Sequence, residues 1–460
     1  MNLPAEGDTI AAVATPPGRG GIGIIRLSGP AAFAISQEIT SLSPKPRVAA
    51  LASFRDGEGE LLDEGLLLHF PAPHSFTGED VVELHCHGGP FVLAAIIRRC
   101  IQCGARNAAP GEFSQRAFLN DKIDLFQAEA IADLIASGSD AAARSASRSL
   151  SGDFSHKVQD LLESLTSLRI FVEAAIDFPE EEVDFIGESD VIERLDALDG
   201  AIDGLLAGAR RGRRLRDGMK LVLAGAPNAG KSSLLNRLAE QDSAIVTEIP
   251  GTTRDVLREY IDIDGMPLHI VDTAGLREAA DAVEREGIRR AQAELESADQ
   301  ILLIVDASDS GHGEDDQLDL ERFARQLPKD TPLTLVRNKI DRIGESARIE
   351  TSSATGVVAR VSLSALTGEG LDLLRHHLLA LAGLDGSAGS DFSARERHVL
   401  ALEQTHEALR EARRVLLELN APELLAEHLR EAQEALGSIT GRLSSDELLG
   451  KIFSSFCIGK

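Results

Sequence analysis

Residues 225 to 232 read Gly-Ala-Pro-Asn-Ala-Gly-Lys-Ser, a glycine, four free positions, then Gly-Lys-Ser. That spacing suits the phosphates of a nucleotide. Backbone N–H groups of such a loop, with the N-terminus of the helix that follows, point at a bound anion. Lys231 adds positive charge at the β- and γ-phosphates, and the Ser232 hydroxyl can ligate Mg²⁺. The glycines let the main chain approach without a Cβ in the way. The elements that must position this loop are readable on either side. Lys220-Leu-Val-Leu-Ala224 reads as a buried strand and Ser233-Leu-Leu-Asn-Arg-Leu238 as the start of a helix.

Three later segments choose the base. Asp272-Thr273-Ala274-Gly275 follows the apolar strand Leu268–Val271, so Asp272 can hold Mg²⁺ through water and the Gly275 N–H can sense the γ-phosphate. Asn338-Lys339-Ile-Asp341 follows the strand Leu333–Val336. The Asp341 carboxylate can accept from both N1–H and the exocyclic amine of guanine, a donor pair adenine lacks. Ser364-Ala365-Leu366 fits a last base-contacting loop. The set predicts a small GTPase domain of α/β class. One position departs from the Ras-like template: Leu276 stands where a glutamine orients the attacking water. Hydrolysis therefore needs another group, and Glu278, Asp281, Glu284 and Glu286 follow closely, most of them suited simply to a solvated helix face.

The chain has 460 residues, room for about three domains of roughly 150 each. No run of 18 apolar residues predicts a membrane span, and the N-terminus has no apolar segment typical of a signal peptide. Four cysteines without framework spacing fit a reducing, cytoplasmic setting. Cys100 and Cys103 on a predicted helix read as small buried apolar residues. His85-Cys-His87 resembles a metal fragment but lacks the further ligands that zinc needs. A net charge of −27 repels nucleic acid as a whole, so any RNA contact requires a local basic surface. Five arginines between 210 and 216 offer one; they equally suit the C-terminus of a helix.

Along the chain, residues 1–120 read as mixed strands and helices. Strands are expected at Thr9–Ala14, Gly23–Ser28 and Val81–His85, a loop at Pro16–Gly21 and a helix over about 91–103. From Leu125 to about 208 apolar residues recur at helical spacing, and Asp177-Phe-Pro-Glu-Glu-Glu-Val-Asp184 ends one helix. Residues 218–383 form the GTPase domain and 385–390 a linker. Helices return at Arg395–Leu419, Pro422 to about Leu436, and from a capping box at Ser444 to about Phe456. The predicted architecture is an α/β P-loop GTPase domain inserted in an all-α domain of residues 121–217 and 384–460, preceded by an α+β domain. Insertion requires the host's two ends to lie close together.

The full chain resembles the MnmE, or TrmE, family of bacterial tRNA modification GTPases. The resemblance rests on Ala14-Thr-Pro-Pro-Gly-Arg-Gly-Gly21, Phe76-Thr-Gly-Glu-Asp80, Pro110-Gly-Glu-Phe-Ser-Gln-Arg116, Phe118-Leu-Asn-Asp-Lys122, the GTPase set, Gly251-Thr-Thr-Arg-Asp255 and the terminal Cys457-Ile-Gly-Lys460. It implies a tetrahydrofolate-binding, dimerising N-terminal domain and a homodimer. It also implies an FAD-containing partner, MnmG, and addition of an aminomethyl or carboxymethylaminomethyl group to C5 of the wobble uridine of certain tRNAs. The one-carbon unit comes from a 5,10-methylene or 5-formyl tetrahydrofolate. The implied folate site is Arg26, Glu83 and Lys122, with Lys460 reaching in. A carboxylate such as Glu83 suits the amino-pyrimidine edge of a pterin, and the cations suit a polyglutamyl tail.

The same resemblance implies hydrolysis that depends on K⁺ and on pairing of two GTPase domains. Asn228 and a loop of Thr247, Glu248, Ile249, Pro250, Gly251 and Thr252 supply the ion's ligands, chiefly Asn228, Thr247, Ile249 and Thr252. Thr253 joins Ser232 on Mg²⁺, and Glu284 orients water. Ala229 and Ser233 complete the nucleotide contacts beside Gly230. Cys457 is a candidate for the tRNA-modifying chemistry, but a helix C-terminus opposes thiolate, so a positioning role near folate is the favoured reading. The competing readings are a non-modifying GTPase switch, as in ribosome assembly, and a scaffold with a vestigial GTPase. Intact Lys231, Ser232, Asp272, Asn338 and Asp341 argue against the scaffold.

Overall fold

A computed structural model describes residues 7–177, 188–241, 258–272, 298–309, 332–351, 357–384, 392–419, 421–441 and 446–459. The chain divides into two compact units. One comprises Met1–Ile135, Ser149–Ile202 and Ala401–Lys460, the other Ala136–Arg148 and Asp203–Leu400.

The first unit opens with β1 (Ile10–Val13), β2 (Gly20–Ser28), α1 (Ala32–Thr40), β3 (Ala50–Arg55), β4 (Leu61–Phe70), β5 (Val81–Gly88), α2 (Pro90–Gln102) and β6 (Arg106–Asn107). The six strands form one sheet in the order β3-β4-β5-β2-β1-β6. Every pair is antiparallel except β1 with β6. Period-two alternation sorts its faces. Ile25, Leu27, Phe54, Leu67, Val82 and Leu84 are buried with Ile35, Ile39 and Ile96 of the two helices. Each such side chain contributes about 1.5–3 kcal/mol by leaving water. Arg26, Glu83 and His85 therefore face the other way, and the register sets Arg26 opposite Glu83. A one-residue slip would bury all three.

The helices that follow are α3 (Glu112–Leu119), α4 (Leu125–Ala136), α5 (Asp140–Ser151), α6 (Asp153–Asp177), α7 (Glu188–Asp217), α8 (Lys231–Gln241), α9 (Leu371–Leu381), α10 (Glu396–Arg414), α11 (Pro422–Thr440) and α12 (Asp446–Ser454). A π turn, Val415–Leu419, extends α10. In the first unit α6 and α11 pack side by side. Phe154, Val158, Leu162, Leu165, Leu168 and Val172 of α6 form a buried stripe at three- and four-residue spacing, as do Leu425, Leu429, Ala432, Leu436 and Ile439 of α11. Gln433 Nε2 donates to Thr166 Oγ1 across them at 2.9 Å. Gly441 ends α11 at φ 87°. Phe453 and Phe456 bring the last helix onto Leu125 and Ala128.

The second unit holds β7 (Met219–Gly225), β8 (Arg258–Ile263), β9 (Met266–Asp272), β10 (Gln300–Asp306), β11 (Leu333–Asn338), β12 (Arg348–Thr351) and β13 (Val357–Ser362). Their order is β12-β13-β11-β10-β7-β9-β8. The central five are parallel, and β12 and β8 join the ends antiparallel. Leu221, Leu223, Leu302, Ile304 and Val336 face one core with Leu234, Leu238 and Leu374, while Val222, Ile301, Leu303 and Leu335 face another. Burial on both faces is why these strands read as unbroken apolar runs.

The expected strands and helices occur with small shifts. β2 starts at Gly20, inside the stretch expected as a loop, and α11 runs to Thr440 rather than about Leu436. The capping box at Ser444 and the linker at 385–390 lie outside the described residues. The five-arginine segment is the C-terminal end of α7. Arg213 pairs with Glu396, and Arg214 Nη1 donates to the Leu381 carbonyl at 2.7 Å. Burial lowers the Arg214 pKa. No helix among the described residues is long and apolar enough to cross a membrane.

Candidate functional site

All described nucleotide candidates sit where parallel strands end, the usual position of an α/β site. Gly225 closes β7, Asp272 closes β9, Asp306 closes β10 and Asn338 closes β11. Asp272 pairs with Leu223, and Asp306 with Asn338.

The phosphate loop turns through three left-handed residues: Gly225 at φ 140°, Asn228 at 63° and Gly230 at 97°. A Cβ at Gly225 would lie 2.1 Å from the Ile304 carbonyl oxygen, and one at Gly230 2.1 Å from Asn338 Nδ2. Both glycines are thus required by close approach as well as by conformation. α8 begins at Lys231, with Leu234 N–H donating to the Gly230 carbonyl at 2.9 Å. Ser232 and Ser233 are exposed on its first turn and Ala229 is buried. Lys231 is buried, and its Nζ donates to the Gly225 and Ala226 carbonyls at 2.9 Å each. The ammonium spans the loop where phosphates would lie.

The guanine-reading loop is tied to the phosphate loop. Asn338 is 1% exposed. Its Nδ2 donates to the Ala229 carbonyl at 2.9 Å, and its Oδ1 accepts from Lys339 N–H at 2.8 Å and Ala365 N–H at 2.9 Å. Asn338 thus clamps three loops. Asp341 is the exposed member of the pair, steadied by Ser364 Oγ, which donates to its Oδ1 at 2.6 Å. Lys339 Nζ donates to the Asn228 carbonyl at 2.7 Å and pairs with Asp306. Burial opposes ionisation of Asp306, but hydrogen bonds from Lys339 and Ser308 prevail and hold its carboxyl below the ordinary range. Sequence reasoning missed Asp306. The available signal was an acid closing an apolar strand, as Asp272 does.

Thr247, Glu248, Ile249, Pro250, Gly251, Thr252, Thr253, Thr273, Ala274, Gly275 and Glu284 lie outside the described residues, as does Lys460.

The implied folate residues are partly brought together. Arg26 donates to Glu83 Oε1 from Nε at 3.0 Å and from Nη2 at 2.8 Å, while His85 Nε2 lies 3.2 Å from Oε2. The Arg26 guanidinium also lies 5.8 Å from the Phe76 ring centre and 5.9 Å from that of Phe113, within cation–π range. Lys122 Nζ donates to the Pro73 carbonyl at 2.9 Å, which ties it to the 73–78 loop that carries Phe76. The chain's end reaches this place: Arg26 Nη1 lies 3.5 Å from the Gly459 carbonyl. Gly459, at φ 96°, passes so close that a Cβ would lie 2.4 Å from the Val13 carbonyl oxygen. The Cys457 carbonyl accepts from Gly111 N–H at 3.3 Å, and its side chain is exposed.

Behind this face, Arg116 is almost fully buried among Asp8, Glu79 and Glu112, and Arg106 pairs with Asp8 and Glu112. Ser28 Oγ bonds Thr77 Oγ1 at 2.6 Å and Glu79 Oε2 at 2.7 Å. The 76–80 loop is therefore anchored by charge and hydroxyl contacts beside Arg26.

The histidine and cysteine pairs have structural partners. His87 Nδ1 lies 2.7 Å from Asp63 Oδ1, and Cys86 turns to the buried face. Burial pushes the Cys86 thiol up to about 11 and the Cys100 thiol to about 12. Burial, then a hydrogen bond with Glu38, raises Cys103 to about 11. All four cysteines are free.

Residues 9–122 match the family described as GTP-binding protein TrmE N-terminus, and residues 125–457 match the MnmE helical domain. The chain is 57% identical over 461 residues to the tRNA modification GTPase MnmE of Pseudomonas syringae pv. tomato, covering 100% of both chains. It is 55% identical over 453 residues to that of Chromohalobacter salexigens, covering 98% of each. It is also 56% identical over 458 residues to that of Stutzerimonas stutzeri, covering 100% of each. The chain belongs to the MnmE family of tRNA modification GTPases.

Proposed function

We propose that this chain is a K⁺-dependent GTPase. With an FAD-containing partner, MnmG, it adds an aminomethyl or carboxymethylaminomethyl group to C5 of the wobble uridine of certain tRNAs. The observation that carries the reading is the phosphate loop. Lys231 spans it, Asn338 clamps it, and Asn228 stands exposed at its tip with its backbone carbonyl held by Lys339. An amide oxygen there, with carbonyl and hydroxyl oxygens of Thr247, Ile249 and Thr252, is an all-oxygen donor set suited to a hard cation. When bound, K⁺ would supply the positive charge that an arginine finger supplies elsewhere.

The chain's own groups do the rest. Lys231 binds the β- and γ-phosphates, Ser232 and Thr253 hold Mg²⁺, and Asp272 orders its water. Glu284 orients the attacking water, since Leu276 cannot hydrogen-bond it. Asp341 reads guanine. In the N-terminal domain Glu83 accepts from the pterin edge of a tetrahydrofolate, which supplies the one-carbon unit. Arg26, Lys122 and Lys460 meet its anionic tail, and Cys457 positions the terminus beside it. Residues 1–120, 121–217 with 384–460, and 218–383 are the three domains of a cytoplasmic homodimer. FAD belongs to the partner alone.

Nucleoside analysis of wobble uridine tests this. Cells lacking the protein should lose the C5 group, and restoration by the wild-type chain but not by Glu284→Ala is expected. An unchanged wobble uridine would favour a GTPase switch without modifying activity.

A further inference from the structure

We infer that Asp306, at the end of β10, is a positioning residue of the nucleotide site that fixes the phosphate-loop backbone at Asn228 through Lys339. The inference rests on the proposed cation role of Asn228 for one of its two consequences and stands apart from it for the other.

Asn228 has φ 63°, a conformation that L side chains adopt seldom and asparagine more readily than most. Such a residue persists where its surroundings hold it. Here the hold is a hydrogen bond of 2.7 Å from Lys339 Nζ to the Asn228 carbonyl. A lysine ammonium sits on a flexible four-carbon stem and is a poor anchor alone. Asp306 supplies the fixed counter-charge. The pair is mostly shielded, with side-chain exposures of 21% for Lys339 and 11% for Asp306. That distinguishes it from exposed ion pairs, which contribute little. Asp306 is itself anchored: its Oδ1 accepts from Ser308 N–H at 3.0 Å and from Ser308 Oγ at 2.6 Å. β-pairing then sets Asp306 directly across from Asn338, the residue that clamps Ala229. The end of β10, the guanine-reading loop and the phosphate loop so form one cross-tied unit. Its two ties reach adjacent phosphate-loop residues, Asn228 and Ala229.

Two consequences follow. The phosphate loop is pre-shaped for nucleotide, which sets affinity. The Asn228 amide is held at one place, which sets the cation concentration needed for turnover.

The test is Asp306→Asn in the full-length chain, which keeps an oxygen for Ser308 and removes the counter-charge facing Lys339. Fluorescent-GDP titration with Mg²⁺ should show at least fivefold weaker binding. The K⁺ concentration for half-maximal GTP turnover should rise at least threefold, with kcat at saturating K⁺ and GTP within twofold of wild type. A general loss of structure would not give that split, and thermal melting of the variant checks for it. If Asp306→Asn fails to fold, Asp306→Ser, which also retains an acceptor for Ser308, takes its place. GDP affinity and K⁺ half-saturation both within twofold of wild type would overturn the inference. Should wild-type turnover show no preference for K⁺, the cation reading fails, and the GDP titration alone still decides the role of Asp306.

Discussion

Asn338 Nδ2 donates to the Ala229 carbonyl at 2.9 Å, joining two loops 109 residues apart in the chain. Its Oδ1 accepts two further backbone N–H bonds. Asn338→Ala would leave the Ala229 carbonyl and the Lys339 and Ala365 N–H groups without these partners, the first and last of them buried. A cost of about 3 kcal/mol to the nucleotide-free second unit is expected. Thermal melting of the apo chain measures it. A melt equal to wild type would show that the clamp is dispensable.

Gly230→Ala tests the close approach on the other side of the same contact. The new Cβ would meet Asn338 Nδ2 at 2.1 Å, on a backbone at φ 97°. Steric overlap and strain together are expected to weaken GDP binding by roughly 100-fold or more. Binding within fivefold of wild type in a fluorescent-GDP titration would contradict the geometry.

The buried charges of the first unit set its acid response. Glu112 and Asp8 both lie below their ordinary values of 4.5 and 3.8: burial opposes ionisation, and hydrogen bonds from Arg106 and Arg116 overcome it. Their stabilisation is fully present above those ordinary values and is lost as pH falls through the lower folded-state values. The opening free energy of α3 amides, from exchange rates corrected for the pH dependence of intrinsic exchange, should therefore be flat from neutrality to about pH 5 and fall below about pH 4.5. Arg116→Met leaves Glu112 buried with less compensation. It is expected to cost about 3–5 kcal/mol at neutral pH and to reduce that acid limb. An unaltered limb in the variant would remove Arg116 from the explanation.

How much of this was readable beforehand depended on whether the constraint was local. Gly225–Ser232 and Asn338–Asp341 are short runs whose residue types are dictated by phosphate and guanine chemistry, so spacing alone exposed them. Asp306 was not exposed, because an acid closing a strand has many causes and its partner Lys339 lies 33 residues away. Arg26 meets Glu83 only through a strand register 57 residues apart. Glu79, Glu112 and Arg116 stood out as family markers, yet their work is an ion network assembled from separate segments. β3 and β4 were also missed: Leu51, Leu61 and Leu66 lie on exposed positions, which blurs the alternation.

Thiol reactivity offers a simple check on the fold. Cys457 is exposed, whereas burial raises Cys86 and Cys100 to about 11 and 12. Thiolate is the reactive form. At pH 8 an alkylating reagent should label Cys457 first, with Cys86 and Cys100 labelled only on unfolding. Equal early labelling of Cys100 would contradict its burial on the core-facing side of α2.

The central claim is that a monovalent cation at Asn228 completes charge neutralisation at the phosphates. GTP turnover by wild type and Asn228→Ala, each measured in K⁺ and in Na⁺ at equal ionic strength, tests it most directly. Wild type should turn over at least tenfold faster in K⁺, and Asn228→Ala should lose that preference. A variant that still favours K⁺ as strongly as wild type would contradict the account.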